Sequence, residues 1–367
     1  MDKLGLRAQW SFMKHRLIFH FLLAALCGLH AFSSVAAQTK DKPNIIVILA
    51  DDLGYGDLAC YGHPTIATPN LDRMAAEGMK FTQFYAGASV CTPSRAALLT
   101  GRYPVRSGVT RVLIPKSTGG LPESEVTIAE TLGDAGYATM CVGKWHLGSR
   151  RPHLPLNHGF DHYYGIPYSN DMSPWAQPDN PTFNGDPPHP LLRDFEVTNR
   201  EEPDQTQLTR LYTDESVKFI REQAKKKKPF FLFLAHTFPH VPLYASASFK
   251  GKSRRGLYGD TVEEIDASCG DILRALKELG IERETLVVFT SDNGPWIGKK
   301  LDGGSPGPFN EGKVSTWEGG FRVPFIARWP GRIAAGVTTR AFATAMDLFP
   351  TFVNLAGGKA PADRVMD

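Results

Sequence analysis

Asn44-Ile45-Ile46-Val47-Ile48-Leu49-Ala50-Asp51-Asp52 is the stretch from which the fold is read. Six apolar, mostly β-branched residues follow Asn44 without polar alternation, and two acids close the run. Such a run predicts a strand buried on both faces, as in the centre of a parallel sheet. Three further runs repeat the pattern downstream: Tyr137-Ala138-Thr139-Met140-Cys141-Val142-Gly143, Phe230-Phe231-Leu232-Phe233-Leu234-Ala235 and Leu286-Val287-Val288-Phe289-Thr290. Phe325-Ile326-Ala327-Arg328-Trp329 is a shorter fifth. Between them the spacing predicts helices over about 70–78, with Thr68-Pro69 as the start signal, 126–135, ending at Gly136, 207–224 and 260–279. Residues 150–200 are rich in Pro, His, Asn and Asp and read as long loops. The alternation predicts an α/β fold with a large, mostly parallel sheet flanked by helices.

In such folds ligands bind beyond the carboxyl ends of the strands. Chemistry-capable residues stand there after each of the first four runs: Asp51 and Asp52, then Lys144 and His146, then His236 and His240, then Asp292 and Asn293. Singly each is an ordinary loop residue; together they define one edge of the sheet. Four of them, Asp51, Asp52, Asp292 and Asn293, offer hard oxygen ligands that suit Ca²⁺ or Mg²⁺ rather than Zn²⁺.

The 367 residues are 42% hydrophobic and 22% charged, an ordinary globular composition with a formal net charge of +3. Neither a basic stripe with interleaved aromatics nor zinc-finger spacing is present, so nucleic acid is not an expected partner. Lys14 and Arg16 precede the apolar run Leu17–Cys27, and small residues lead to Ala36-Ala37-Gln38. This predicts a secretory signal peptide over 1–37 cleaved near Ala37, a polar linker over 38–42 and no stable membrane anchor. Met13 is an alternative start. Export predicts a secreted or periplasmic protein, lysosomal in a eukaryote. Of five cysteines, Cys27 would leave with the signal; Cys60, Cys91, Cys141 and Cys269 form neither a dense disulfide framework nor a CxxC metal site.

Cys91-Thr92-Pro93-Ser94-Arg95-Ala96-Ala97-Leu98-Leu99-Thr100-Gly101-Arg102 is the segment richest in chemistry. Pro93 suits the first turn of a helix and Gly101 its end, which predicts Cys91 just before the helix N-terminus, where the dipole and Arg95 favour an anion. Cys-x-Pro-x-Arg followed by Leu-Thr-Gly-Arg resembles the signature of the formylglycine-dependent sulfatases of the alkaline phosphatase superfamily. The resemblance extends from about Pro43 to the last residue through Asp51–Asp57, Gly143–Gly148, Thr290–Gly294, Gly312-Lys313 and Glu318-Gly319-Gly320. Gly165–Ser169 and His240–Ser246 are most similar to the branch holding arylsulfatase A and N-acetylgalactosamine-6-sulfatase.

The resemblance implies an alkaline-phosphatase-like sandwich over 43–367 and hydrolysis of aryl or carbohydrate sulfate esters. It implies Cys91 oxidised to formylglycine by a formylglycine-generating enzyme, and one Ca²⁺ on Asp51, Asp52, Asp292, Asn293 and residue 91. Arg95 would support the nucleophile, and Lys144 and Lys313 would grip sulfate oxygens. His146 would act as base, and His240 would protonate the leaving alcohol. Ser169 would hydrogen-bond near the nucleophile, and Arg102 would shape the signature helix. His240 is preferred to His236 because His-Val-Pro-Leu-Tyr matches the family segment better. His153, His158 and His162 are expected to be loop or scaffold residues. Sulfatases of this type carry a smaller C-terminal domain, so the resemblance also implies that the catalytic domain is truncated after Asp367. Two alternatives stay open: a phosphonate or phosphodiester hydrolase of the same superfamily, and a non-catalytic binder of sulfated glycans.

Overall fold

The computed structural model describes residues 42–367. The expected signal peptide, and the linker apart from Lys42, lie outside the described residues. In chain order the elements are β1 (Asn44–Ala50), α1 (Pro69–Ala76), β2 (Met79–Tyr85), α2 (Cys91–Thr100), α3 (Ile128–Asp134), β3 (Ala138–Gly143), β4 (His162–Gly165), β5 (Leu192–Arg193) and β6 (Glu196–Val197). There follow α4 (Leu208–Lys226), β7 (Phe230–Ala235), α5 (Leu257–Glu278), β8 (Thr285–Ser291), β9 (Phe325–Arg328), β10 (Val337–Thr344) and α6 (Leu348–Leu355), with shorter helical turns between.

The strands form one sheet in the order β10-β2-β9-β8-β1-β7-β3-β4-β5-β6. β1 lies at its heart, parallel to β7 on one side and β8 on the other. The sheet is mostly parallel, as expected, and two strands are reversed in it: β9 runs antiparallel to both β8 and β2, and β5 to both β4 and β6 at the far edge.

Every residue of β1 from Ile45 to Ala50 is fully buried, and alternate side chains enter two cores. Ile45, Val47 and Leu49 join Phe231 and Phe233 of β7 under α2, α3 and α6. Ile46 and Ile48 join Leu232 and Leu234 under α1, α4 and α5. Each such side chain contributes roughly 1.5–3 kcal/mol on burial, which is why the strand carries no polar alternation. The helices on both faces are anchored by specific caps. Thr127 and Glu130 form a capping box at the start of α3, the Thr127 N–H donating to Glu130 Oε2 at 2.6 Å and the Glu130 N–H to Thr127 Oγ1 at 3.1 Å. Asp266 of α5 caps α1 by accepting from the N–H groups of Asn70 and Leu71.

Three expectations are corrected. Helix α2 begins at Cys91 itself rather than after it, with Val90 as its extended cap. The 150–200 region holds strands β4, β5 and β6 among its loops. Strands β2 and β10 and helix α6 had no counterpart in the sequence reading. Among the described residues, no helix is long and apolar enough to cross a membrane, and Cys60, Cys91, Cys141 and Cys269 are free thiols.

Candidate active site

The carboxyl ends of β1, β3, β7 and β8 and the first turn of α2 converge on a buried cluster of charge. The turn after β1 puts Asp52 at a φ of 64°, and its N–H donates to Asp292 Oδ1 at 3.2 Å. Gly143 ends β3 at a φ of 102°; a Cβ there would lie 1.9 Å from the Ala235 carbonyl oxygen, so only glycine lets the chain turn into Lys144. Helix α2 stops at Gly101, φ 65°, whose N–H returns to the Ala97 carbonyl.

The charges interlock. Arg95, fully buried, donates from Nε to Asp292 Oδ2 at 2.9 Å, lies 3.4 Å from Asp51 through Nη2, and reaches the Lys144 carbonyl from Nη1. Lys144 Nζ pairs with Asp51 Oδ2 and donates to Ser169 Oγ at 3.1 Å. Lys313 Nζ donates to Asp52 Oδ2 at 2.8 Å, and Asn293 Nδ2 donates to Asp52 Oδ1 at 2.7 Å. His240 Nε2 stands 3.6 Å from Asp52 Oδ2.

Burial dominates the ionisation of this cluster and neighbours then divide the groups. Burial alone would raise the Asp51 carboxyl, but Lys144 and Arg95 hold it well below the carboxylate range. Burial, and then the Asp51 carboxylate, push Asp292 up. Burial would lower the Lys313 ammonium, but Asp52 keeps it above its ordinary value. Burial and then Lys313 lower His240, and burial and then Lys144 lower His146 well below the usual imidazole range. The Cys91 thiol, 2% exposed at the start of α2, is pushed up by burial in spite of Lys144 and Lys313. A thiolate nucleophile is therefore disfavoured at this position.

Two oxygens in the cluster are orphaned. Asp51 Oδ1 and Asn293 Oδ1 are buried and have no hydrogen-bond partner, which in a low-dielectric site is costly unless something else satisfies them. Together with Asp52 and Asp292 they make an all-oxygen donor set for a hard divalent cation. Asp51, Asp52 and His240 also lie close enough together to share an ion, but the oxygen donors fit calcium better than the imidazole does. His146 donates from Nε2 to the Leu113 carbonyl at 2.9 Å, which leaves its buried Nδ1 as a free acceptor.

Cys91, Arg95, Lys144, His146, Ser169, His240, Lys313 and the four expected oxygen ligands lie in or directly beside this cluster. His236 lies apart, Nε2 3.3 Å from Ser268 Oγ, and His158 is buried with its ring stacked against Trp145. His153 meets the Leu121 carbonyl and His162 pairs with Asp194. Arg102 pairs with Glu125 at 2.6 Å rather than facing the cluster. The sequence reading missed Trp296, whose ring lies 5.8 Å from that of His240 and 4.7 Å from Lys313 Nζ. Its only sequence signal is its place two residues after Gly294.

A family model described as Sulfatase matches residues 43–358. The chain is 47% identical to rat (Rattus norvegicus) N-acetylgalactosamine-6-sulfatase over 356 residues, covering 92% of this chain and 67% of that protein. It is 46% identical to human (Homo sapiens) arylsulfatase A over 331 residues, covering 87% and 65%. The chain thus spans about two thirds of the length of these relatives, both of which are named sulfatases. Among solved structures, a sulfatase from Pseudoalteromonas sp. superposes with a TM-score of 0.83 at 34% identity, covering 90% of this chain and 71% of that one.

Proposed function

Since the chain belongs to the sulfatase family, we propose that it hydrolyses sulfate esters of phenols or carbohydrates, with residue 91 converted from cysteine to formylglycine and one Ca²⁺ bound beside it. The observation that carries this reading is the buried convergence of Cys91 with three carboxylates, Asn293 and the cations Arg95, Lys144 and Lys313 at one sheet edge. Asp51, Asp52, Asp292 and Asn293, with the oxygen of residue 91, would hold the ion, whose role when bound is to polarise oxygens and favour their anionic form. Formylglycine would supply as its hydrate one hydroxyl to attack sulfur and a second whose deprotonation releases sulfate.

The chain's own side chains divide the remaining work. Lys144 and Lys313, whose side chains are buried, hold sulfate oxygens as point charges. Ser169 fixes the Lys144 ammonium through its hydroxyl. His146 receives a proton at Nδ1, the nitrogen its Leu113 contact leaves free. His240 gives a proton to the leaving alcohol, its charged form favoured once a sulfate stands beside it. Arg95 holds Asp51 and Asp292 in place. The relatives' names favour a carbohydrate 6-sulfate as substrate. Residues 43–367 would form the catalytic domain, exported by the signal peptide over 1–37 and matured by a formylglycine-generating enzyme.

The test is the mass of the tryptic peptide bearing residue 91, from protein made in a host that matures other sulfatases. An aldehyde trapped by a hydrazide reagent is expected, with 4-nitrophenyl sulfate turned over faster than 4-nitrophenyl phosphate. An unmodified thiol would overturn the formylglycine reading; preference for the phosphate would overturn the sulfate one.

A further inference from the structure

The loop 294–303 does more than close the cluster. Its backbone is clamped: the Pro295 carbonyl accepts from the Lys313 N–H at 2.9 Å and from the Ile297 N–H at 3.1 Å. A Cβ at Gly303 or Gly312 would lie 2.3 or 2.2 Å from the Trp296 or Pro295 carbonyl oxygen, so the loop is packed against its neighbours. Arg255 pins its far end through the Leu301 and Gly303 carbonyls, both at 2.9 Å. On this platform the half-buried Trp296 touches Lys313 and His240 from outside. Lys299 is exposed and stands over the same indole, Nζ 4.3 Å from the ring centroid. Neither Lys299 nor Lys300 has a carboxylate within ion-pair distance among the described residues; what sets Lys299 apart from the chain's other unpaired surface lysines is its seat over the indole beside the cluster.

An unpaired ammonium held over an aromatic face has a defined position that a free surface lysine lacks. Its distance from Lys313 Nζ is at most the sum of the two lysine-to-indole distances, a span one or two sugar rings can bridge. We infer that Lys299, seated over Trp296, forms a second anion-binding position at the rim of the site, so that the preferred ester carries another sulfate or a carboxylate on the same or the adjoining sugar. This rests on the sulfate-ester reading. Lys300 sits beside it at φ 56° and ψ −115°, backbone that a non-glycine residue adopts only when its surroundings impose it.

The experiment compares two disaccharides with the same terminal galactose 6-sulfate, one with and one without a second sulfate on the neighbouring sugar. In the mature enzyme, Lys299→Gln is expected to lower the ratio of their kcat/KM values about fivefold, mostly through KM, an effect that fades as ionic strength rises. An unchanged ratio would overturn the inference, as would an equal loss on both substrates in a variant with an unaltered melting temperature. Calorimetry of the same sugars with Cys91→Ala protein, with and without Lys299→Gln, separates the two readings. Lys299-dependent preference in binding without turnover by the wild type supports this position and overturns sulfate-ester hydrolysis. Turnover with no such preference overturns this position alone.

Discussion

Protonation of three buried histidines is expected to make the protein labile in mild acid, and one substitution isolates the effect. Burial lowers His158 and His189 to about 4 and His236 to about 3; both nitrogens of His158 lack partners. An unfolded histidine titrates near 6.5. A group whose folded pKa is depressed stabilises the native state fully above the unfolded value, and that stability is lost as pH falls from about 6.5 towards 4. Between pH 7.5 and 5.0 each ring therefore costs about 2 kcal/mol, and the three together roughly 6 kcal/mol, a large share of a typical 5–15 kcal/mol. Buried acids pushed upwards, such as Asp57 and Asp266, act in the opposite sense, so the wild-type profile alone decides nothing. His158→Phe is the clean perturbation. The ring stacks against Trp145, whose indole meets Phe160 edge-on, and because neither ring nitrogen has a partner its removal orphans no side chain. Urea unfolding at pH 7.5 and 5.0 should show the variant losing about 2 kcal/mol less than the wild type over that interval, whatever its offset at pH 7.5. Equal losses, or a measured His158 pKa near 6.5, would refute the reasoning.

Calcium at a hundredfold excess over its dissociation constant should stabilise the protein by about 2.7 kcal/mol, read as a rise in melting temperature that a chelator reverses; no shift would remove the oxygen cluster as a cation site. Arg95→Met should cost about 3–5 kcal/mol in urea unfolding, because it leaves buried Asp292 without its ion-pair partner and Asp51 with Lys144 alone. A loss below about 1 kcal/mol would mean the pair is screened like a surface bridge.

The centre of the fold was legible because burial on both faces leaves an unbroken apolar run, as in β1, β7 and β8. The edges were not. In β2 only Phe84 is fully buried and in β10 the residues are half-buried or exposed, so neither shows a run or a clean alternation. Helix α6 carries Pro350 at its third position, which is tolerated in a first turn but interrupts the helical signal in the sequence. Helix α2 is buried along all ten residues and so has no amphipathic period; only Pro93 and Gly101 marked it, and the start was placed just after Cys91 instead of at it. The site residues were legible because they stand at strand ends or in a recognisable signature. Trp296 was not, since its approach to Lys313 depends on the Lys313–Pro295 backbone bond between two loops.

The charge balance of the cluster gives a reason for its composition. Asp51, Asp52 and Asp292 face Arg95, Lys144 and Lys313, all buried, and each cation is held on a carboxylate oxygen. Without an ion the set is near neutrality, with Asp292 pushed up by burial and by the Asp51 carboxylate, and two oxygens orphaned. A dication added to the three carboxylates and three side-chain cations would leave the set with two positive charges in excess. Buried excess charge is costly unless matched, and the matching charge is that of an anionic ester. Neutral His146 and His240, held so by burial, add nothing to that excess until the anion arrives, and its arrival favours a proton on the nearer ring. The same three carboxylates thus account for the cation the site would hold, and the three cations account for the anion it would take.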